Sequence, residues 1–321
     1  MKKILAVYNT CGISGRENLE DYISSIELIL DQDFDSFDLV ISSCLNEKST
    51  IDSLLDKFSG KIFVNFVKEC HPVNVTFNHA VRRYIDKFGP CGSYLYVDSG
   101  TSFPQKTLFR DLNSYLETGK YGMITPQPEN DTEYYNGLGV GRHDKDDEYA
   151  REILFREGDY IIPIGKGMGT HTNLISEDLR SFYGNVYPDI FASHCTESTF
   201  SFLNAALKKN WILLKDYVLP HKISLDGQSS GFSPAFWQAT GKPTYDHPYI
   251  IDSILERLVT EESKACGFGY EECRGIMRHD TSQYDENYHC TNEDLKGFLK
   301  NNLFLKKEEL DYEEIEHEFF Y

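Results

Sequence analysis

Four short apolar segments alternate with amphipathic segments through the first hundred residues, and this alternation constrains the fold more than any other feature. Between the apolar segments, apolar residues recur at the spacing of a buried helix face, for instance at Leu19, Tyr22, Ile23 and Ile26. Continuously apolar strands joined by helical crossovers are typical of a parallel sheet covered on both faces. We therefore predict an α/β fold with a mostly parallel, Rossmann-like sheet flanked by helices. The predicted strands are KILAVY (3–8), DLVISSC (38–44), KIFVNFV (61–67) and YLYVD (94–98).

The alternation of apolar and amphipathic segments becomes less regular after residue 100, but it still predicts further strands and helices and a domain boundary near residue 230. We assign residues 1–230 to one ligand-binding domain and the more charged residues 231–321 to a helical C-terminal extension. The extension ends in DYEEIEHEFFY (311–321), which we interpret as a peripheral helix. Further strands are predicted at 122–127, 160–165 and 211–221, helices at 176–184 and 196–210, and ligand-covering loops at 128–150 and 222–247.

The balance of charges excludes several classes of partner. The chain carries 51 acidic against 32 basic residues, a formal net charge of −19 at pH 7. Such a field repels phosphate backbones and anionic lipid surfaces, so we expect neither nucleic acid nor a membrane surface as a partner. It permits one small anionic ligand where a metal ion or a local cationic pocket neutralises the charge.

The cysteines and the apolar segments indicate a cytoplasmic protein. The eight cysteines are scattered and include no CxxC pair, a pattern that we interpret as reduced thiols in the cytosol. Cys266 and Cys273 leave open a bridge or half of a metal site, although two unrelated thiols are the simpler interpretation. MKKILAVYNT does not match a signal peptide, and no segment approaches the ~20 apolar residues of a membrane span.

Polar residues follow three of the four predicted strands at the point where each strand ends. Asn9 and Thr10 follow the first strand, Ser42 and Ser43 lie at the end of the second, and Asp98-Ser99-Gly100 ends the fourth. Ligands of open parallel sheets bind beyond these carboxyl ends. A carboxylate there can hold a divalent cation or a ribose, and small residues let a diphosphate approach the backbone. The alternatives are an aspartate that only starts a turn and ordinary loop polarity.

Two residues later in the chain are candidates for chemistry. Glu197 lies where a predicted helix begins, so it suits a general base that takes a proton from an attacking hydroxyl. The alternative is a surface acid that complements the helix dipole. His221 ends an apolar strand before a loop rich in Gly, Ser and Pro, where a metal or phosphate ligand can be presented. A structural or exposed histidine is the alternative there.

Taken in order, these segments resemble the GT-A-fold glycosyltransferases, near the large inverting family 2. The resemblance covers residues 1–230. It implies a GT-A-like nucleotide-sugar-binding and catalytic domain, followed by an acceptor-side extension. The segments that carry it are AVYNT (6–10), Asn78 in VTFNHAVRRYIDKFG (75–89), YLYVDSG (94–100) in the Asp-x-Asp position, HCTESTF (194–200) in the position of the acidic base motif, and VLPH (218–221) in the position of the metal-binding histidine.

The resemblance implies a role for each matching residue. Glu197 corresponds to the catalytic base, and His221 to a ligand of the metal or the diphosphate. Asp98 corresponds to the first acid of the Asp-x-Asp motif, which touches the ribose or the metal. Asn78 lies on a helix that faces the donor. The donor-binding set that follows is Asn9, Thr10, Ser42, Ser43, Asn78, Asp98, Ser99 and Gly100.

Two departures from the family pattern affect the base pocket and the metal. Ser42-Ser43-Cys44 replaces the usual acid at the second strand end, so base recognition differs. Gly100 stands where the principal metal-binding acid is expected. Asp98 and His221 then hold Mn²⁺ or Mg²⁺ together with diphosphate oxygens and waters, because such ions accept few protein ligands. Otherwise the enzyme is metal-independent or inactive.

The expected activity is inverting transfer of a sugar from a UDP- or GDP-type donor to a hydroxyl of a glycan or glycoconjugate. One alternative is a sugar nucleotidyltransferase, for which TCGISGR (10–16) is only a faint version of the required phosphate loop. The other is a non-catalytic protein that binds nucleotide sugars or glycans, which Gly100 favours. The three alternatives are distinguished by two assays. One measures the products formed from a sugar phosphate and a nucleoside triphosphate, and the other measures the products formed from nucleotide sugars.

Overall fold

The structure is a computed structural model in which one nine-stranded sheet organises the chain. It describes residues 2–11, 19–44, 48–67, 73–98, 100–129, 157–162, 172–188, 196–220, 297, 300 and 317–320. The strands are β1 (Ile4–Cys11), β2 (Phe37–Cys44), β3 (Phe63–Val67), β4 (Ser93–Asp98), β5 (Tyr121–Pro128), β6 (Tyr160–Ile161), β7 (Thr172–Ser176), β8 (Asn210–Leu219) and β9 (His317–Phe320).

The strand order is β6-β8-β5-β7-β4-β1-β2-β3-β9. The four central strands β4, β1, β2 and β3 are parallel, as the sequence predicts. β1 lies between β2 and β4, because the connection from β3 returns past β1 before the chain forms β4. β7 inserts antiparallel between β4 and β5, and β5 pairs parallel with β8. The predicted mixed α/β fold with a mostly parallel central sheet is confirmed.

Six helices in the described ranges cover the two faces of the sheet. They are α1 (Leu19–Leu30), α2 (Lys48–Lys57), α3 (Val73–Phe88), α4 (Leu108–Glu117), α5 (Glu177–Tyr183) and α6 (Thr196–Ala206). Leu5 and Val7 belong to the core beneath α3, α5 and α6, so we call that side the α3 face. Ile4, Ala6 and Tyr8 belong to the core beneath α1, α2 and α4, the α1 face. None of these helices combines the length and hydrophobicity needed to cross a membrane.

The last described residues form a strand where the sequence predicts a helix. β9 pairs antiparallel with β3, with Phe319 opposite Asn65, so the helix prediction is wrong for residues 317–320. The Phe319 ring stacks on Phe63 at a centroid distance of 6.1 Å, and Glu318 pairs with Lys48 at 3.2 Å. β9 therefore covers an edge strand whose backbone groups are otherwise open to pairing with another chain. The domain boundary at residue 230 stays a prediction, because residues 221–296 lie outside the described ranges.

Cys91 lies buried at the opposite end of the sheet from the carboxyl edge and is predicted to be unreactive. Its side chain is 5% exposed, and burial raises the pKa of its thiol to about 11, while the Lys3 ammonium acts in the opposite direction. Only the thiolate reacts with alkylating reagents, so at pH 8 the folded protein presents almost none. We expect iodoacetamide to leave Cys91 unlabelled in the native protein and to label it after unfolding, as read by peptide mass spectrometry. Rapid native labelling at pH 8 would contradict this.

Candidate active site

The parallel register aligns four polar side chains in one row at the carboxyl edge of the sheet. Asp98 of β4 lies opposite Asn9 of β1, Asn9 lies opposite Ser42 of β2, and Ser42 lies opposite Asn65 of β3. Neighbours in register point to the same face of the sheet. Here it is the α3 face, because Val7 and Val40, two residues before Asn9 and Ser42, belong to that core. We call these four residues the polar row.

Asn9 lies in the middle of the polar row with an unused amide. Its side chain is 5% exposed, and neither its Nδ2 nor its Oδ1 has a hydrogen-bond partner among the described residues. A buried amide left unpaired costs about 1–3 kcal/mol, so native proteins keep few of them. A ligand that supplies one acceptor and one donor here removes that cost.

Asp98 is the carboxylate of the polar row and lies at its most accessible end. Its side chain is partly exposed, unlike Asn9, Ser42 and Asn65. The hydroxyl of Tyr96 donates to its Oδ1 at 3.3 Å, which orients the carboxylate toward the edge of the sheet. The arrangement leaves Asp98 able to accept further hydrogen bonds or to hold a cation at that edge.

A chain of aromatic contacts leads from Asp98 to the helix that carries Glu197. Tyr96 contacts Tyr187 at a centroid distance of 5.6 Å, and Tyr187 contacts Phe200 of α6 at 5.1 Å. Glu197 precedes Phe200 by one turn, so the first turn of α6 lies on the same face of the sheet as Asp98. The side chain of Glu197 is outside the described part of the structure.

A backbone hydrogen bond brings the chain before His221 next to the chain after Asp98. The N–H of Ser102 donates to the carbonyl oxygen of Pro220 at 2.8 Å. β5 and β8 run parallel up to this point, with Pro128 opposite Leu219. His221 is the next residue after Pro220, and it lies outside the described ranges, as does Ser99. The chain that follows Asp98 and the chain that leads to His221 therefore meet at one edge of the sheet.

Thr10, Ser43 and Gly100 lie at the same edge but toward the α1 face. Thr10 and Ser43 are in register, one residue beyond the polar row, and both are buried. The N–H of Gly100 donates to the hydroxyl of Tyr8 at 3.4 Å. Gly100 has a φ of +86°, a left-handed conformation that strains other residues. This conformation is a physical reason for a glycine at position 100.

Asn78 is a buried residue of α3 that fixes the backbone of Tyr187. Its Nδ2 donates to the carbonyl oxygen of Tyr187 at 2.9 Å, and its Oδ1 accepts from the N–H of the same residue at 3.0 Å. This pair of bonds holds the aromatic residue that links Tyr96 to α6. A direct contact with the donor, as the resemblance implies, stays a prediction.

Sequence analysis did not find Asn65, His79 or Tyr187. Asn65 lies inside the apolar run KIFVNFV, and only the register shows that it extends the polar row. His79 contacts Asn65, with its Nδ1 3.1 Å from Oδ1. An asparagine within an apolar strand was a usable signal, because asparagine is depleted in strands and a buried one needs partners.

The described residues supply one carboxylate for a metal, not a complete set of ligands. Within the described ranges no group of three or more His, Cys, Asp or Glu side chains could hold a metal ion. Asp98 alone fits the mode in which Mg²⁺ or Mn²⁺ is held by one carboxylate together with phosphate oxygens and waters. Any metal at this edge would therefore need further ligands from outside the described residues.

Comparisons with known proteins give a similarity in fold only. No protein-family model matches the sequence, and no curated protein sequence matches it. Solved structures resemble the fold, among them the mannosyltransferase PcManGT from Pyrobaculum calidifontis in complex with GDP-Man and Mn²⁺. It aligns with a TM-score of 0.48 at 14% sequence identity, over 70% of this chain and 58% of that one. The chain thus spans less than two thirds of that protein's length, and a likeness at this level says nothing about its own reaction.

Replacing Asn78 by alanine is expected to destabilise the protein by about 2–3 kcal/mol, because it leaves the buried N–H and carbonyl of Tyr187 unpaired. Urea unfolding at constant m-value measures the change. Asn113→Ala is the matched control: Asn113 is also buried on a helix, but its one side-chain bond goes to Glu117. A loss at Asn78 no larger than at Asn113 would contradict the assigned contact.

Proposed function

We propose that the protein is an inverting glycosyltransferase that moves a sugar from a nucleotide-sugar donor to a hydroxyl of a glycan or glycoconjugate. The observation that supports this is the polar row. It gathers Asp98, Asn9 and Ser42 at the carboxyl edge of a parallel sheet, on the face that also carries α6 and Glu197. Ligands of open parallel sheets bind at this edge. We place the reaction in residues 1–230, with residues 231–321 on the acceptor side, in the cytoplasm.

The nucleotide occupies the carboxyl edge with its base at β1 and β2 and its diphosphate at β4. Asn9 and Ser42 of the polar row, with Thr10 and Ser43 beside it, form the base pocket. Asp98 accepts hydrogen bonds from the ribose. Ser99 and Gly100 let the diphosphate approach the backbone, since glycine has no side chain to obstruct it.

Asp98 and His221 would hold Mn²⁺ or Mg²⁺ if a divalent cation takes part. The ion would supply positive charge beside the departing diphosphate, where negative charge grows. Neutral amides and hydroxyls make up the rest of the polar row, so the described residues offer no cation of their own in this row.

Glu197 acts as the general base. Its carboxylate takes the proton of the acceptor hydroxyl as the hydroxyl oxygen forms a bond to the anomeric carbon. The bond from that carbon to the diphosphate oxygen breaks on the opposite side, and its electron pair leaves with the nucleoside diphosphate. Attack from the opposite side inverts the anomeric configuration.

A non-catalytic nucleotide-sugar-binding protein is the second candidate, and Gly100 is the observation that favours it. The positive φ at this position disfavours an aspartate, so a second acid is not available from the turn itself. Incubation with a panel of UDP- and GDP-sugars, glycan acceptors and Mn²⁺ tests both candidates. Transfer products support the enzyme, whereas tight binding with no nucleoside diphosphate released supports the binding protein.

The variant Glu197→Gln is expected to lose sugar transfer by about 10²–10⁴-fold, because the amide cannot accept the acceptor proton. Donor affinity, measured by calorimetry, should stay nearly unchanged. Glu27→Gln is a control, since Glu27 lies on the exposed side of α1 and pairs with Lys57. Turnover like that of the wild type in Glu197→Gln would remove this residue from the mechanism.

The variant Asp98→Asn is expected to weaken donor binding about 10-fold, the size of one lost charge-assisted contact. The loss should be larger with Mn²⁺ than without it if the carboxylate holds a cation. Calorimetry with UDP and GDP in both conditions measures the effect. Equal affinities of variant and wild type for both nucleotides would show that the donor does not reach Asp98.

A further inference from the structure

We propose that Tyr187 is a positioning residue, which holds the first turn of α6 in a fixed place relative to Asp98. The inference rests on the proposed function, because that turn carries Glu197, the base of the proposed reaction. Tyr187 is 4% exposed and belongs to the core of the α3 face. It therefore acts through the side chains packed around it.

Tyr187 is fixed at both ends. Its backbone N–H and carbonyl oxygen are both bonded to the side-chain amide of Asn78 on α3. At the far end of its side chain, the hydroxyl accepts a hydrogen bond from the Nδ2 of Asn173 on β7 at 3.3 Å. The ring cannot move away from this position without breaking a buried hydrogen bond, which would leave a polar group unpaired away from water.

The bond to the Tyr187 hydroxyl is the last link of a buried chain that crosses three strands. The Nε1 of Trp211 on β8 donates to the Oγ1 of Thr125 on β5 at 2.8 Å. The Thr125 hydroxyl then donates to the Oδ1 of Asn173 at 2.7 Å. An indole N–H can only donate, so it sets the direction of the bonds that follow, and the Asn173 amide turns its Nδ2 toward Tyr187. All four side chains are buried, and connected polar networks of this kind make a core more rigid.

The ring of Tyr187 packs between the side chain that bonds Asp98 and helix α6. On one side it contacts Tyr96, whose hydroxyl donates to Asp98, at a centroid distance of 5.6 Å. On the other side it contacts Phe200 edge to face at 5.1 Å. Trp211 also contacts Phe200, at 6.3 Å, so the chain of hydrogen bonds closes into a loop that includes α6. A shift of Tyr187 would therefore move the first turn of α6 relative to Asp98.

The variant Tyr187→Phe removes the hydroxyl and keeps the ring. We expect the kcat of sugar transfer to fall about 10-fold, because a small misplacement of the base is costly. Donor affinity, measured by calorimetry, should stay nearly unchanged, since the ring still packs on Tyr96. Tyr84→Phe is the matched control. It also deletes a buried hydroxyl on the α3 face, one that donates to Asp38 at the opposite end of the sheet, and it should keep the wild-type kcat.

A double-mutant cycle with Glu197→Gln shows whether Tyr187 acts through Glu197. If it does, adding Tyr187→Phe to Glu197→Gln should lower the residual turnover by no more than about twofold. A purely structural role would lower turnover by the same factor with and without Glu197. Equal factors in the two backgrounds would overturn the inference.

Thr125 tests the relay at a distance, because its hydroxyl reaches Tyr187 only through Asn173. Thr125→Val removes that hydroxyl and is expected to lower kcat about 5-fold, again by misplacing the base. Thr125→Ser keeps a hydroxyl and should restore a kcat close to that of the wild type. A folded Thr125→Val variant with the wild-type kcat would overturn the relay, and this pair decides if Tyr187→Phe does not fold.

Hydrogen exchange tests the positioning without the reaction. The amides of residues 200–203 bond to the first-turn carbonyls of α6, so their exchange reports opening of that turn. In Tyr187→Phe they should exchange about 10-fold faster relative to the amides of β1, and in Tyr84→Phe they should not. Unchanged relative exchange would overturn the inference. Absence of transfer by the wild type would count against the proposed function, and the exchange rates would still decide whether Tyr187 positions α6.

Discussion

The parallel register of β4, β1, β2 and β3 is the constraint on which the rest of the site depends. Most residues of these strands are apolar, because both faces of the sheet are covered by helices. The register aligns the polar residues at or near the ends of β4, β1 and β2 with Asn65 inside β3, so the four meet in one row instead of scattering over separate loops. A slip of one residue in β1 would turn Asn9 to the α1 face and break the row.

The polar row lowers the stability of the folded protein and at the same time provides groups that a ligand can bind. Three of its members are almost fully buried, and two of them keep amide groups unpaired in the described part of the structure. Each such group costs about 1–3 kcal/mol in the folded protein, a large fraction of a typical net stability. The same buried groups are the ones that discriminate strongly between ligands, because a wrong ligand leaves them unpaired out of reach of water. Stability lost there is consistent with a binding site, whereas Asn78, which is fully bonded to Tyr187, serves the scaffold.

Sequence alone predicted the alternation of strands and helices and the carboxyl edge, since both follow from the period of apolar residues and from polar strand ends. It placed Asp98 correctly at the end of β4. It missed Asn65, because whether a polar residue inside an apolar run meets Ser42 depends on register, which is a long-range property. It also missed β9, because four residues in a charged tail form a strand only by pairing with β3. It missed β7 as well, because the burial of that strand is set by both neighbouring strands.

The overall charge bears on how the row can bind an anionic donor. A chain with a net charge of −19 presents a repulsive mean field to a nucleoside diphosphate. The polar row offsets none of this repulsion, since its only charged member, Asp98, is itself an acid. Binding of an anionic donor at this edge would therefore need positive charge from outside the row, which the proposed mechanism assigns to a divalent cation or to His221.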